Sequence, residues 1–111
     1  MKRIVVVLFA LALALPLAAE TWKGVALMDA GCAKKAEMVA HPENHPRACA
    51  LQCAKAGFGV VVDGKFIKFD AKGDELAADA LKKSEKKDHL NVTLSGEMKD
   101  GTIAVTSLAI D

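Results

Sequence analysis

Hydrophobic and polar residues along the chain are arranged in five short segments that predict β-strands. These segments are residues 22–28, 60–62, 65–69, 92–98 and 102–110. The alternation is clearest in the fourth segment, where Val92, Leu94 and Met98 are separated by polar residues. A period of two is typical of a strand with one buried face, so the pattern predicts a mainly β chain.

Two Asp-Gly pairs connect neighbouring strand segments. Asp63-Gly64 separates the second segment from the third, and Asp100-Gly101 separates the fourth from the fifth. Asp-Gly is suited to two-residue turns in which both residues have positive φ. The sequence therefore predicts two antiparallel hairpins.

The last two segments contain local irregularities. Val105 and Leu108 belong to opposite faces of a regular strand although both are hydrophobic, which predicts a bulge near Thr106 and Ser107. Gly96 is expected to bend the strand before it.

The segment rich in cysteine is expected to contain a short helix. Pro46 suits the first turn of a helix and Gly57 suits a C-terminal cap, which predicts a helix over residues 46–56. Asn44 or His45 is then expected near the N-cap. Residues 33–44 have no sustained period and are interpreted as a loop with room for one helical turn.

A second helix is predicted between the third and fourth strands. Asp74 is its expected N-cap, and the helix is expected to continue to about Ser84. Its predicted apolar face consists of residues at three- and four-residue steps: Leu76, Ala77, Ala80 and Leu81.

The order of these elements predicts a mainly β (α+β) fold. A five-stranded OB-like barrel accounts for it, with a Cys-bearing helical insertion at about residues 29–57 between strands 1 and 2 and a helix between strands 3 and 4. Closure of the sheet protects strand edges that so small a domain could not otherwise cover. An open five-stranded α+β sheet has the same order of elements and is the alternative.

The N-terminus has the features of an export signal. Lys2-Arg3, an apolar run over residues 4–15, Pro16 and the small pair Ala18-Ala19 predict a signal peptide over residues 1–19. The remaining residues, 20–111, form one predicted domain without a membrane anchor, exported to the periplasm or secreted by a bacterium. Without Lys2 and Arg3 the chain has 13 basic and 14 acidic residues, which argues against a nucleic-acid partner and leaves a protein or small ligand.

Candidate chemistry is concentrated between residues 32 and 53. All three cysteines and two of the three histidines lie there. His45, Cys49 and Cys53 are spaced at i, i+4 and i+8, which places them near one face of a helix. With Cys32 they form a possible set of three sulfur ligands and one nitrogen ligand, for which His41 is the alternative histidine.

Three functional hypotheses follow from this cluster. The first is a binding module that coordinates zinc or copper, since thiolates and imidazole favour these ions. The second is a domain stapled by a disulfide from Cys32 to Cys49 or Cys53, with one free thiol, because exported proteins meet an oxidising environment. The bridge would contribute about 3 kcal/mol in the chain-entropy model.

The third hypothesis is a thiol redox protein. Cys49 would lie near a helix N-terminus, where the helix dipole favours the thiolate, and His45 would lie one turn away. The sequence has no Cys-x-x-Cys pair, no thioredoxin-like order and no serine or carboxylate motif. We therefore expect a protein that binds rather than an enzyme.

Parts of this pattern resemble a known group of proteins. The residues concerned are Asp29-Ala-Gly-Cys32, His45-x3-Cys49-x3-Cys53-x3-Gly57 and Asp63-Gly64-Lys65. The chain resembles small exported bacterial proteins of unknown function that have a cysteine-bearing segment inside an OB-like β domain. The resemblance covers most of residues 20–111 and implies export and a common fold, but no reaction. The doubled His-Pro element, at residues 41–42 and 45–46, departs from that pattern and keeps both histidines as candidates.

Overall fold

Five β-strands form one sheet in the computed structural model, which describes residues 20–111. The strands are β1 (Glu20–Asp29), β2 (Phe58–Val62), β3 (Lys65–Phe69), β4 (Asn91–Lys99) and β5 (Thr102–Ile110). The prediction of a mainly β chain with five strands is confirmed. The predicted signal peptide lies outside the described residues.

Each strand pairs with two neighbours, in the order β1-β2-β3-β5-β4, and β4 pairs again with β1. Four of these pairings are antiparallel, and β3 with β5 is parallel. The parallel contact is short, with Lys68 opposite Thr102 and Phe69 opposite Ile103. The connection from β3 to β5 contains the helix over residues 71–83 and β4, so it is long enough for a parallel pairing.

Both predicted hairpins are present. Asp63, Gly64, Asp100 and Gly101 all have positive φ, as a two-residue turn of this class requires. The first turn joins β2 to β3 and the second joins β4 to β5.

The predicted bulge in the last strand is also present. Ser95 pairs with Ser107 while Gly96 pairs with Val105, so Thr106 is the extra residue. A β-carbon at Gly96 would lie 2.4 Å from the carbonyl oxygen of Ala104, so this close approach of the strands requires glycine.

The connection between β1 and β2 is more helical than its sequence predicts. It contains α1 (Ala36–Ala40), α2 (Arg47–Gln52) and three short 3₁₀ turns, Cys32–Lys34, Pro42–Asn44 and Ala54–Ala56. The prediction of one regular helix over residues 46–56 is wrong in its bounds, because α2 ends at Gln52 and Cys53 is its C-cap. The N-cap is Pro46 rather than Asn44 or His45, because Pro46 itself has an extended backbone (φ −81°, ψ 156°) and the first helical residue is Arg47.

The helix after β3 is α3 (Ala71–Lys83), and its predicted N-cap is also wrong. Asp70 caps the helix by accepting a hydrogen bond from Gly73 N–H at 2.9 Å. Asp74 lies in the first turn and accepts from Phe58 N–H at 2.8 Å, which joins α3 to β2. Gly73 permits close packing, because a β-carbon there would lie 2.6 Å from a methyl group of Val105.

The core lies between the sheet and α3. Its largest buried side chains are those of Leu27, Phe58, Phe69, Leu81, Leu94 and Ile103. Ala50 of α2 is also fully buried in this core, so the inserted segment packs against the same centre as the strands. Among residues 20–111, the helices are all too short or too polar to cross a membrane.

Arg47 attaches the inserted segment to α3. Its Nε donates to the carbonyl oxygen of Leu81 at 2.7 Å, and its backbone N–H donates to Lys87 O at the same distance. At the base of the insertion, Ala30 N–H donates to Gly57 O at 2.8 Å. These contacts place the cysteine-bearing residues over the end of β1.

Candidate functional site

Asp29, the last residue of β1, is the centre of the candidate site. Its side chain is fully buried, although carboxylates are rarely buried without partners. Asp29 Oδ2 accepts a hydrogen bond from the backbone N–H of Cys32 at 2.8 Å, and Oδ1 lies 2.6 Å from His45 Nε2. One carboxylate therefore connects the turn that follows β1 to the loop that precedes α2.

His45 is fully buried as well, and its two ring nitrogens differ. Because a carboxylate accepts hydrogen bonds, Nε2 of His45 donates to Asp29. Its Nδ1 is buried without a hydrogen-bond partner among the described residues. A buried polar atom left unpaired costs about 1–3 kcal/mol, so this atom suggests a ligand.

Cys32 lies in the first 3₁₀ turn, with Asp29 three residues before it. Partial burial, the charge of Asp29 and a hydrogen bond to that carboxylate raise the pKa of the Cys32 thiol from 9.0 to about 11. Cys53 and Cys49 raise it further by smaller amounts. Without an ion, the thiol is therefore protonated at neutral pH, which is the opposite of an activated nucleophile.

These three side chains could hold a metal ion. One ligand atom from each of Asp29, Cys32 and His45 lies within 4.8 Å of the other two. The donor types are carboxylate oxygen, sulfur and imidazole nitrogen, all of which occur in protein metal sites. Cys32 and His45 were predicted from sequence as ligands, and the structure brings them together.

Cys49 and Cys53 lie near this group but outside it. Both are half-buried free thiols that are close enough to influence the pKa of Cys32. The group within 4.8 Å includes neither of them. A β-carbon at Gly31 would lie 3.6 Å from Cβ and 3.8 Å from Sγ of Cys53, so Cys53 lies against the residue that precedes Cys32.

His41, the alternative ligand, lies elsewhere. Its side chain is 61% exposed, and its Nδ1 lies 3.4 Å from Glu43 Oε1. The structure thus places His45, rather than His41, in the buried group with Cys32. The third histidine, His89, forms an exposed pair with Asp88.

Sequence reasoning did not identify Asp29 as a site residue. Asp29 entered the sequence-based predictions only as the start of the predicted insertion and in the motif Asp29-Ala-Gly-Cys32. Its position three residues before Cys32 is the available signal, because an aspartate often accepts a hydrogen bond from a backbone N–H two or three residues later. The contact with His45 has no local signal, since 16 residues separate the two positions.

Comparisons with known proteins add no family or function to this geometry. No protein-family model matches the chain, and neither the curated proteins nor the solved structures include a significant match.

Proposed function

We propose that the protein is a small exported binding module that holds zinc or monovalent copper between Cys32 and His45. The unpartnered Nδ1 of His45 is the observation that carries this proposal. A histidine that ligates a metal through one nitrogen commonly donates the N–H of the other to a carboxylate. The Asp29–His45 pair already has this arrangement, with Nε2 on the carboxylate. Asp29 would then orient the ring, and Nδ1 would be the ligating atom.

Sulfur ligands support the choice of ion. Thiolates and imidazole favour zinc and monovalent copper over calcium or magnesium, which prefer oxygen. Cys32 would supply the first sulfur. Cys49 and Cys53 lie outside the group within 4.8 Å and would have to move toward it to complete a set of three sulfurs and one nitrogen. Because α2 ends at Gln52, Cys53 is not held on a regular helix two turns beyond His45.

We also propose that the domain is an exported OB-like barrel. The strand order with β4 returning to β1, the parallel contact of β3 with β5, and the position of α3 between β3 and β4 support the OB-like assignment. The basic and apolar pattern of residues 1–19 supports export. The metal would join the insertion between β1 and β2 to the barrel.

Metal titration of the reduced protein tests the proposal. We expect one zinc or copper(I) ion per chain by native mass spectrometry. His45→Gln should weaken binding by at least tenfold, while the matched variant His41→Gln should bind as the wild type does, because His41 is exposed and outside the group. Wild-type protein that takes up neither ion would overturn the proposal. Equal losses of metal affinity in the two variants would show that His45 is not the ligating histidine.

A second candidate function is a disulfide-stapled domain that binds a protein or small ligand without metal. The position of Cys53 beside Gly31 favours it, because Cys53 lies against the chain that leads to Cys32. Mass spectrometry of the unreduced exported protein distinguishes the candidates. A mass lower by two hydrogens supports the staple, and three free thiols exclude it.

The thiol redox hypothesis receives less support. The sequence assigns the catalytic role to Cys49, which lies outside the buried group of Asp29, Cys32 and His45. The cysteine inside that group, Cys32, has a pKa raised to about 11, whereas an activated thiol requires a lowered one. The proposed role of the cluster is therefore binding rather than catalysis.

A further inference from the structure

Cys53 is placed differently from Cys49 with respect to Cys32. Cys49 lies within α2, whereas Cys53 is its C-cap and is followed by the 3₁₀ turn Ala54–Ala56. The β-carbon and sulfur of Cys53 lie 3.6 Å and 3.8 Å from the point that a β-carbon of Gly31 would occupy. These distances place the side chain of Cys53 beside Gly31, the residue that directly precedes Cys32. Cys53 is therefore the cysteine whose side chain lies against the turn that carries Cys32.

Two further observations favour Cys53 as the partner. Cys53 has a larger effect than Cys49 on the pKa of the Cys32 thiol, which is consistent with a shorter separation. The backbone of Cys53 lies outside the regular helix, with φ −99° and ψ 19°, whereas a change at Cys49 would disturb α2 itself.

We propose that oxidation regulates the metal site, with Cys32 and Cys53 forming a disulfide that expels the ion. This inference rests on the proposed metal-binding function. The reaction is thiol–disulfide exchange with an external disulfide: two cysteine sulfurs join, the external S–S bond breaks, and its two sulfurs leave as thiols. The two electrons come from Cys32 and Cys53. When the ion is bound, both sulfurs are thiolates, so the protons for the leaving thiols come from solvent.

Bridge formation would remove two sulfur ligands at once. Cys49 and His45 would remain, which is too small a set for tight binding of zinc or copper(I) by the protein alone. Asp29 would keep its hydrogen bonds to the His45 ring and to the backbone N–H of Cys32, because neither bond involves the Cys32 sulfur. The reduced chain therefore binds the ion, and the oxidised chain has the Cys32–Cys53 disulfide instead.

The test begins with the reduced chain loaded with zinc. Oxidised glutathione is added, zinc release is followed with a chromogenic chelator, and the cysteine pairing is mapped by peptide mass spectrometry. We expect one zinc released for each Cys32–Cys53 bridge and a protein mass lower by two hydrogens. In the metal-free protein, Cys49→Ser should form the same bridge at the wild-type rate, while Cys53→Ser should form an intramolecular bridge at least tenfold more slowly.

The outcomes separate this inference from the function on which it rests. If the reduced wild-type chain binds no zinc or copper(I), both the metal site and its regulation are overturned. If zinc binds and oxidised glutathione leaves it in place, only the regulation is overturned. A bridge from Cys32 to Cys49 in the wild type would overturn the pairing and with it the proposed switch.

Discussion

Asp29 Oδ1 lies 2.6 Å from His45 Nε2, and neither side chain is exposed to solvent. The carboxylate ends β1, while the ring lies in the loop that leads into α2. Removing one member of a buried charged or polar pair is costly because the other is left without its partner. The position of the inserted segment on β1 and the geometry of the candidate site therefore both depend on this one contact.

Asp29→Asn should destabilise the fold. The amide group would place an N–H donor opposite either the Cys32 backbone N–H or His45 Nε2, both of which now meet an acceptor oxygen. We expect the free energy of unfolding to fall by about 1–3 kcal/mol, the cost of an unsatisfied buried polar group. Urea unfolding of the metal-free protein measures this loss. Asp88→Asn, in an exposed pair with His89, is the matched control and should change stability by less than about 0.5 kcal/mol.

The Cys32 thiol should react slowly with alkylating reagents. Its pKa is raised from 9.0 to about 11, so its thiolate fraction at pH 8 is about a hundredfold lower than that of an ordinary thiol. Alkylation of metal-free protein, followed by peptide mass spectrometry across a range of pH, measures the pKa directly. Asp29→Asn should lower it toward 9.0 because the mutation removes a negative charge. A Cys32 that titrates near 9.0 in the folded wild type would contradict this expectation.

The same shift has a consequence for stability at alkaline pH. Because the folded pKa is higher than the ordinary value, the fold favours the neutral thiol. This contribution is fully present below pH 9.0 and is lost as the pH rises toward about 11. Cys32→Ser should therefore flatten the decline in stability over that pH window, as measured by urea unfolding of metal-free protein.

The strands and hairpins could be predicted because their signals are local. The Asp-Gly pairs require only the two turn residues, and the change of parity after Val105 predicts the bulge at Thr106 within one strand. Local signals alone could not identify the N-cap residue of α3. Asp70 and Asp74 are both suitable caps, and the end of β3 at Phe69 determines which one is used.

The candidate site was only partly predictable for a related reason. Cys32 and His45 were predicted together because the chemistry-bearing residues are concentrated in one segment. Their common contact with Asp29 depends on how the insertion folds back over the end of β1, which no local pattern specifies. The choice of His45 over His41 likewise depends on burial in the folded chain.

Gly31→Ala should weaken the candidate site through a steric contact. The new β-carbon would lie 3.0 Å from Asp29 Oδ2, so the carboxylate or the turn carrying Cys32 must shift. Displacing the group that orients a metal-bound histidine commonly costs about 10–100-fold in metal affinity, and we expect a loss in that range. A competition titration with a zinc indicator measures it.

Gly101→Ala is the matched control for that experiment. Gly101 has φ of +79°, so alanine is strained there, but no atom lies within 4 Å of the added carbon. The control should lose stability, by about 1 kcal/mol, while its zinc affinity stays at the wild-type value. Equal losses of zinc affinity in both variants would show that the effect of Gly31→Ala arises from general destabilisation.

Arg47→Met should loosen the inserted segment while leaving the sheet in place. The guanidinium Nε donates to Leu81 O near the C-terminal end of α3, where the helix dipole favours a cation. Methionine retains much of the apolar length and the backbone N–H bond to Lys87 O but removes the hydrogen bonds of the guanidinium group. We therefore expect a loss of about 1.5–3 kcal/mol in the free energy of unfolding, typical of a hydrogen bond from a charged group. Hydrogen exchange should become faster in residues 32–56 before it changes in β4 and β5, because opening of the insertion breaks few contacts within the sheet. Arg47→Lys keeps the charge without the planar group and should show a smaller increase. Uniform acceleration across β4, β5 and the insertion would mean instead that Arg47 supports the whole domain and that the site cannot open separately.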